Sequence, residues 1–164
     1  MTLQSSFSLR FAQAADCDAI FNLIKALAEY ENLSNAATGN VNLLRQHLFG
    51  DPKYVEAIVA ESSNNIVGFA LFFYNYSTFL TKPGIYLEDL FVLPDYRRQG
   101  IGKALLIKLA QIALERNCGR LEWSVLDWNE PAQNFYRTMG ASILDDWRIC
   151  RVTGEKLAEL ARKE

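Results

Sequence analysis

The residues Arg97-Arg98-Gln99-Gly100-Ile101-Gly102 have the types and spacing best suited to chemistry in this chain. They lie between a strand-like run and a helix-like run, where the unpaired amides and dipole of a helix start attract anions. Gly100 and Gly102 permit close backbone approach and unusual φ values, and Arg97 and Arg98 can make charge-assisted contacts to a pyrophosphate or ribose phosphate. The spelling excludes two familiar phosphate loops. A Walker loop needs a glycine five residues before Gly102, where Arg97 stands, and a Ser or Thr after Lys103, and a dinucleotide fingerprint needs a third glycine where Ala104-Leu105 follow. A helix start that uses glycine only for packing is the plainer alternative.

Other reactive centres are few. His47 is the sole histidine, so a multi-histidine zinc site is excluded and no metal is expected. Cys17, Cys118 and Cys150 lack C-x-x-C spacing and read as packing residues in a reducing compartment, which makes the chain cytoplasmic. The 17 Lys and Arg nearly balance 19 Asp and Glu, so the net charge of −2 offers no basic footprint to nucleic acid or to an anionic membrane. Met1 to Leu9 has neither the basic start nor the apolar run of a secretory signal. The most apolar stretch, Ile66 to Tyr76, is too short for a membrane-spanning helix and reads as a buried strand.

At 164 residues and 50% hydrophobic, the chain suits one domain spanning positions 1–164. Phe7 to Phe11 alternates like a half-buried strand. Asp16 then offers an N-cap to a helix with Ile20, Leu23, Ile24 and Leu27 on one face, ending near Tyr30 or Glu31. A polar loop, Asn32 to Asn40, precedes a second helix from Val41 to Phe49. Tyr54 to Glu61 and Ile66 to Tyr76 form a hairpin across Ser62-Ser63-Asn64-Asn65. Lys82-Pro83-Gly84 breaks the chain before a strand from Ile85 to Val92. The glycine turn then opens a helix whose apolar face is Leu105, Leu106, Leu109, Ile112 and Ala113. Leu121 to Val125 alternates as a strand, Asn129-Glu130-Pro131 opens a helix closed by Gly140, and Trp147 to Val152 forms a last strand before a short terminal helix. The order β-α-α-β-β-β-α-β-α-β predicts a mixed, mostly antiparallel α/β sheet with helices on both faces.

Arg97-x-x-Gly100-x-Gly102, framed by Leu90-Phe91-Val92 and a long helix, resembles the acyl-coenzyme A pyrophosphate loop of the GNAT superfamily of N-acetyltransferases. Tyr86-Leu87-Glu88-Asp89-Leu90-Phe91-Val92 through Asp95-Tyr96-Arg97, Trp128-Asn129-Glu130-Pro131 through Asn134-Phe135-Tyr136, and Gly140-Ala141 are similar to the diamine (spermidine/spermine) branch. The resemblance implies a single GNAT-like domain with acetyl-CoA as co-substrate. Leu90, Phe91, Val92, Arg97, Arg98, Gln99, Gly100, Ile101, Gly102 and Lys103 would bind it, with Asn129, Glu130, Pro131 and Ala132 near its pantetheine arm. It also implies a small-molecule amine as the other substrate and a homodimer as the assembly. The branch usually has an additional glycine after the first arginine of the loop, where Arg98-Gln99 stands here. The segment after Glu31 lacks the acidic pair of polyamine-binding members, which favours a short amine over a long polyamine and admits a thialysine-like amino acid.

Acetyl transfer to an amine needs a neutral nucleophile, an anchored thioester and a proton for the departing thiolate. An alkyl ammonium has a pKa of about 10.4, so roughly one molecule in a few thousand is neutral at pH 7. A carboxylate that attracts the cation and accepts its proton answers that need. On the resemblance, Glu88 is the expected base and amine contact. Strand alternation sends Asp89 to the opposite face unless a bulge intervenes. Tyr136 lies seven residues after Asn129, two turns along one helix face, and matches the family's proposed acid. Tyr30, Glu31, Glu122, Trp123, Ser124 and Asp146 are the remaining substrate candidates, with solvated charge an equal reading for Glu31, Glu122 and Asp146. An acyl-CoA sensor without turnover and a protein-amine acetyltransferase are the competing functions.

Overall fold

A computed structural model describes residues 7–163. Part of Met1 to Leu9 therefore lies outside the described residues. The chain divides into two compact units, one ending at Ser124 and the other beginning at Val125.

The first unit is built on one sheet in the order β1-β2-β3-β4-β5. β1 is Ser8–Phe11, β2 Glu56–Ser62, β3 Asn65–Ser77, β4 Lys82–Val92 and β5 Leu121–Glu122. The first four pair antiparallel, and β5 joins β4 in parallel. The mixed, mostly antiparallel sheet is therefore as expected. α1 (Cys17–Tyr30), α2 (Val41–Phe49) and α3 (Ile101–Glu115) complete the unit.

Alternation along the strands divides the core into two faces. Ala57 and Val59 of β2, Phe69 and Leu71 of β3 and Phe91 of β4 pack with Cys17, Ile20 and Leu23 of α1 and Leu48 of α2. The opposite sheet face belongs to α3, whose Ile101, Leu105, Leu109 and Ile112 are fully buried. Asp16 begins α1, but its carboxylate takes bonds from Arg10 (2.7 and 3.0 Å) and the Gln13 amide (2.7 Å) instead of capping helix amides. That pairing fixes the β1–α1 corner and holds the Asp16 carboxyl below its ordinary range.

The β2–β3 connection is a two-residue turn in which Ser63 and Asn64 adopt φ of 49° and 62°, the backbone a tight hairpin requires. Lys82-Pro83-Gly84 does not break the chain as expected but forms the start of β4, paired with Ser77, Tyr76 and Asn75. Gly84 fits because a Cβ there would collide with the Asn75 side chain.

The second unit contains α4 (Glu130–Thr138) and α5 (Gly154–Ala161). Trp147 to Val152, expected as a strand, is not one: its alternation is present, but among the described residues no strand pairs with its backbone. No helix among the described residues is long and apolar enough to cross a membrane.

Candidate active site

β4 extends to Val92, but its parallel pairing with β5 covers only Ile85↔Leu121 and Tyr86↔Glu122. Beyond Tyr86, no strand among the described residues pairs with β4 on that side. The edge containing Leu90, Phe91 and Val92 therefore offers N–H and C=O groups to an extended ligand.

The glycine turn follows directly. Gly100 is the N-cap of α3 with φ of +84°, a left-handed conformation that a side chain would strain. No side chain caps this helix start, and the first intrahelical bond from beyond the turn is Ala104 N–H to Gly100 O at 2.9 Å. The amides of Ile101, Gly102 and Lys103 lie ahead of that ladder, the arrangement that binds phosphate. Gly102 is ordinary helix, so the unusual φ expected at both glycines occurs only at Gly100. The second left-handed residue is Arg98, with φ of +62°.

Arg97 is less free than expected. Its Nε donates to the Val92 carbonyl at 2.9 Å, and its guanidinium lies 4.8 Å from the Tyr30 ring centroid and 5.3 Å from that of Phe91. The residue thus braces the turn against the end of β4 and the last turn of α1. Arg98 and Lys103 are exposed at the turn.

The carboxylates stand just before this turn. In the β3–β4 register Leu71 opposes Asp89, but the next residue, Phe72, opposes Leu87, so Glu88 is an extra residue in a bulge. Leu71 faces the α1 side, and its cross-strand partner Asp89 shares that face. Leu87 points to the α3 side and Asp89 toward α1, with Glu88 the exposed extra residue between them. The bulge named as the exception to simple alternation is therefore present. Burial, followed by the charges of Glu88 and Glu31, pushes the Asp89 carboxyl up to about 6. Burial also raises Glu31 above its ordinary value.

The same face carries Phe73 and Tyr86, whose ring centroids lie 5.3 Å apart. The Tyr86 hydroxyl is 2.8 Å from Ser124 Oγ. Sequence reasoning missed Asp89, Phe73 and Tyr86 as site residues. For Asp89 the missing signal was the bulge, which depends on pairing with β3. Glu122 sits at β5, but Arg120 Nε (2.8 Å) and Asn75 Nδ2 (2.8 Å) already engage its carboxylate. Trp123 is half-buried between Glu122 and Ser124.

The second unit places Asn129, Glu130, Pro131, Ala132 and Tyr136 on one helix start and its following turns. Asn129 Oδ1 accepts from the Ala132 amide at 3.3 Å, while Gln133 Nε2 donates to the carbonyls of Leu126 (3.1 Å) and Asp127 (2.8 Å). Tyr136 is half-buried, with its ring centroid 5.3 Å from that of Phe135. Asp146 is exposed in the segment after α4.

An open strand edge leading into an uncapped helix start, with carboxylates at a bulge beside them, is an arrangement that suits an acyl-CoA-dependent acyltransferase. The chain belongs to the GNAT acetyltransferase family, whose model matches residues 19–141. It is an N-acetyltransferase that uses acetyl-CoA as co-substrate. It is 39% identical over 166 residues to thialysine N-epsilon-acetyltransferase of Bos taurus, covering 94% of this chain and 97% of that protein. It is 48% identical over 104 residues to L-ornithine N5-acetyltransferase NATA1 of Arabidopsis thaliana, covering 62% and 46% of the two chains. Among solved structures, an integron cassette protein from V. cholerae superimposes with a TM-score of 0.82 at 27% identity, covering 98% of this chain and 100% of that one.

Proposed function

We propose that the acceptor is a short amine with a second cationic centre, either a diamine or a lysine-like amino acid such as thialysine. The observation that carries this reading is the grouping of three carboxylates, Glu31, Glu88 and Asp89, where burial first and then the charges of Glu88 and Glu31 raise the Asp89 carboxyl. A dicationic acceptor relieves their mutual repulsion, and the Phe73 and Tyr86 rings on the same face suit its ammonium or methylene groups. The names of the relatives support a small amine, since thialysine and ornithine each carry two amino groups. Protein-amine acetylation and an acyl-CoA sensor find no comparable support.

In the proposed reaction the open edge at Leu90 to Val92 and the turn from Arg97 to Lys103 hold acetyl-CoA, with Asn129 to Ala132 contributing along its arm. The bulge carboxylates, Glu88 among them, take the amine cation and its proton. The neutral nitrogen attacks the thioester carbonyl, a C–N bond forms as the C–S bond breaks, and Tyr136 supplies the proton that the thiolate needs. The nitrogen loses its second proton, so the balance is one amide, one thiol and one proton released.

A homodimer remains our reading of the assembly. Trp147 and Ile149 are 76% and 70% exposed in this chain, which supports a partner on that segment. The three free cysteines support a reducing, cytoplasmic setting.

The acceptor is tested by competition. The protein is incubated with acetyl-CoA and an equimolar mixture of putrescine, spermidine, thialysine, ornithine, lysine and a lysine-containing peptide, and products are read by mass spectrometry. Acetylation concentrated on one or two short dications is expected. Predominant acetylation of the peptide would overturn the small-amine reading.

A further inference from the structure

We infer that Arg120 and Glu122 bind the α-carboxylate and α-ammonium of the acceptor, with Asn75 positioning Glu122, so that the site selects a diamino acid over a diamine; this rests on the small-amine reading above. The sheet face that carries Asp89 continues as a grid of side chains away from the strand edge proposed to hold the thioester. Leu71, Phe73 and Asn75 alternate on β3, and their β4 partners are Asp89, Tyr86 and Gly84. On β5, Glu122 pairs beside Tyr86, and the Ile85 amide donates to the carbonyl of Arg120, just before that strand, at 3.0 Å. A Cβ at Gly84 would meet both Asn75 Oδ1 and Arg120 Cγ. The bare glycine therefore lets the Asn75 and Arg120 side chains converge on Glu122 from either side of β4.

The two ends of this face differ in charge. Three carboxylates gather around Asp89, which suits the reacting ammonium. At β5 the charge is balanced: Arg120 Nε lies 2.8 Å from Glu122 Oε1, and Asn75 Nδ2 donates to that same oxygen at 2.8 Å. Both contacts fall on one carboxylate oxygen, so among the described residues Glu122 Oε2 takes no bond. Arg120 Nη2 reaches the Tyr76 carbonyl at only 3.4 Å. Asn75 Oδ1 is buried without a donor, and Arg120 Nε meets Glu122 off the line of a hydrogen bond, so the network is unfinished as a brace of the sheet. The Arg120 and Glu122 side chains are 36% and 37% exposed, which leaves both open to a ligand. An α-amino acid head group matches them: its ammonium meets Glu122 Oε2 and its carboxylate meets the guanidinium fork of Arg120. A diamine would bring a second ammonium to Arg120 with no carboxylate to offset it. Tyr86 and Asp89 stand three positions apart, about 10 Å of strand, which a short aliphatic spacer crosses when side chains reach inward from both ends. The Phe73 and Tyr86 rings, 5.3 Å apart, form the floor of that path, and Ser124 Oγ holds the Tyr86 hydroxyl at 2.8 Å.

The test pairs each amino acid with its decarboxylated counterpart, ornithine with putrescine and lysine with cadaverine, at saturating acetyl-CoA. Wild type should favour the amino acid of at least one pair in kcat/KM by about tenfold or more, as expected for one charge-assisted contact. Arg120→Gln should bring that ratio to about one by raising the amino-acid KM, and Arg120→Lys should keep part of the preference, since the charge remains but the planar fork is lost. Glu122→Gln should raise the KM of ornithine but not that of Nα-acetylornithine, which has no α-ammonium. Ornithine methyl ester makes the comparison without altering the protein: on wild type it should lose the advantage over putrescine. A wild type that favours the diamine in both pairs, an ester as good as ornithine, or an Arg120→Gln that slows both members of a pair equally would overturn the inference while leaving amine acetylation in place. A wild-type protein that releases no thiol with any amine would sink the small-amine reading and this assignment with it.

Discussion

The Arg97 guanidinium lies 4.8 Å from the Tyr30 ring centroid, joining the last turn of α1 to the loop proposed to receive the coenzyme phosphates. Tyr30 was expected at the amine and Arg97 at the coenzyme, so one contact links the two proposed subsites.

Removing the ring should therefore affect the coenzyme. A cation–π contact of this kind is worth about 0.5–1 kcal/mol. Tyr30→Leu is expected to weaken acetyl-CoA binding by about twofold to fivefold, read by calorimetry without an amine present. Unchanged affinity would show that Arg97 holds the turn through the Val92 carbonyl alone.

Arg98 occupies a left-handed conformation at φ of +62°, which costs a non-glycine residue about 1 kcal/mol. Arg98→Gly should raise the melting temperature by a few degrees and weaken acetyl-CoA binding most at low salt, where the lost charge matters most. A lower melting temperature would contradict this account of the turn.

The raised Asp89 also sets a dependence of stability on pH. Its folded pKa of about 6 lies above the ordinary aspartate value of 3.8, so the folded chain binds the proton more tightly. The resulting stabilisation is present below about pH 4 and is lost as pH rises through 6. Asp89→Asn should melt a few degrees above wild type at pH 7.5, with the gap closing toward pH 4 in thermal denaturation. A gap independent of pH would show that the carboxylate is not perturbed.

Tyr136→Phe tests the acid. Turnover should fall strongly, by about a hundredfold, with acetyl-CoA affinity nearly unchanged, because only the proton donor is removed. Equal turnover in both proteins would remove Tyr136 from the mechanism.

Local signals explain why much of this site was legible in the sequence. Gly100 before an apolar helix, the polar Ser63-Asn64 turn, and the spacing of Leu105, Leu109 and Ile112 each specify backbone through a few neighbouring residues. Asp89 was missed because a bulge is a property of two strands: nothing between Leu87 and Leu90 records that Phe72 pairs with Leu87. Pro83 and Gly84 were misread as a break because their tolerance in β4 depends on what lies across from them at Tyr76 and Asn75. Trp147 to Val152 has the alternation of a strand, but alternation supplies no pairing partner. Glu122 was named with Trp123 and Ser124 on the resemblance, and its pairing with Arg120 and Asn75 depends on contacts that only the fold supplies.

The central claim is acetyl transfer to a short dicationic amine. Its most direct test is the initial rate of free coenzyme A thiol release from acetyl-CoA as thialysine, ornithine or putrescine is added singly to the purified protein. The account predicts saturable release with at least one of them, far above the rate with a monoamine of equal length. Tight acetyl-CoA binding with no amine-dependent release, or equal rates with the monoamine, would contradict it.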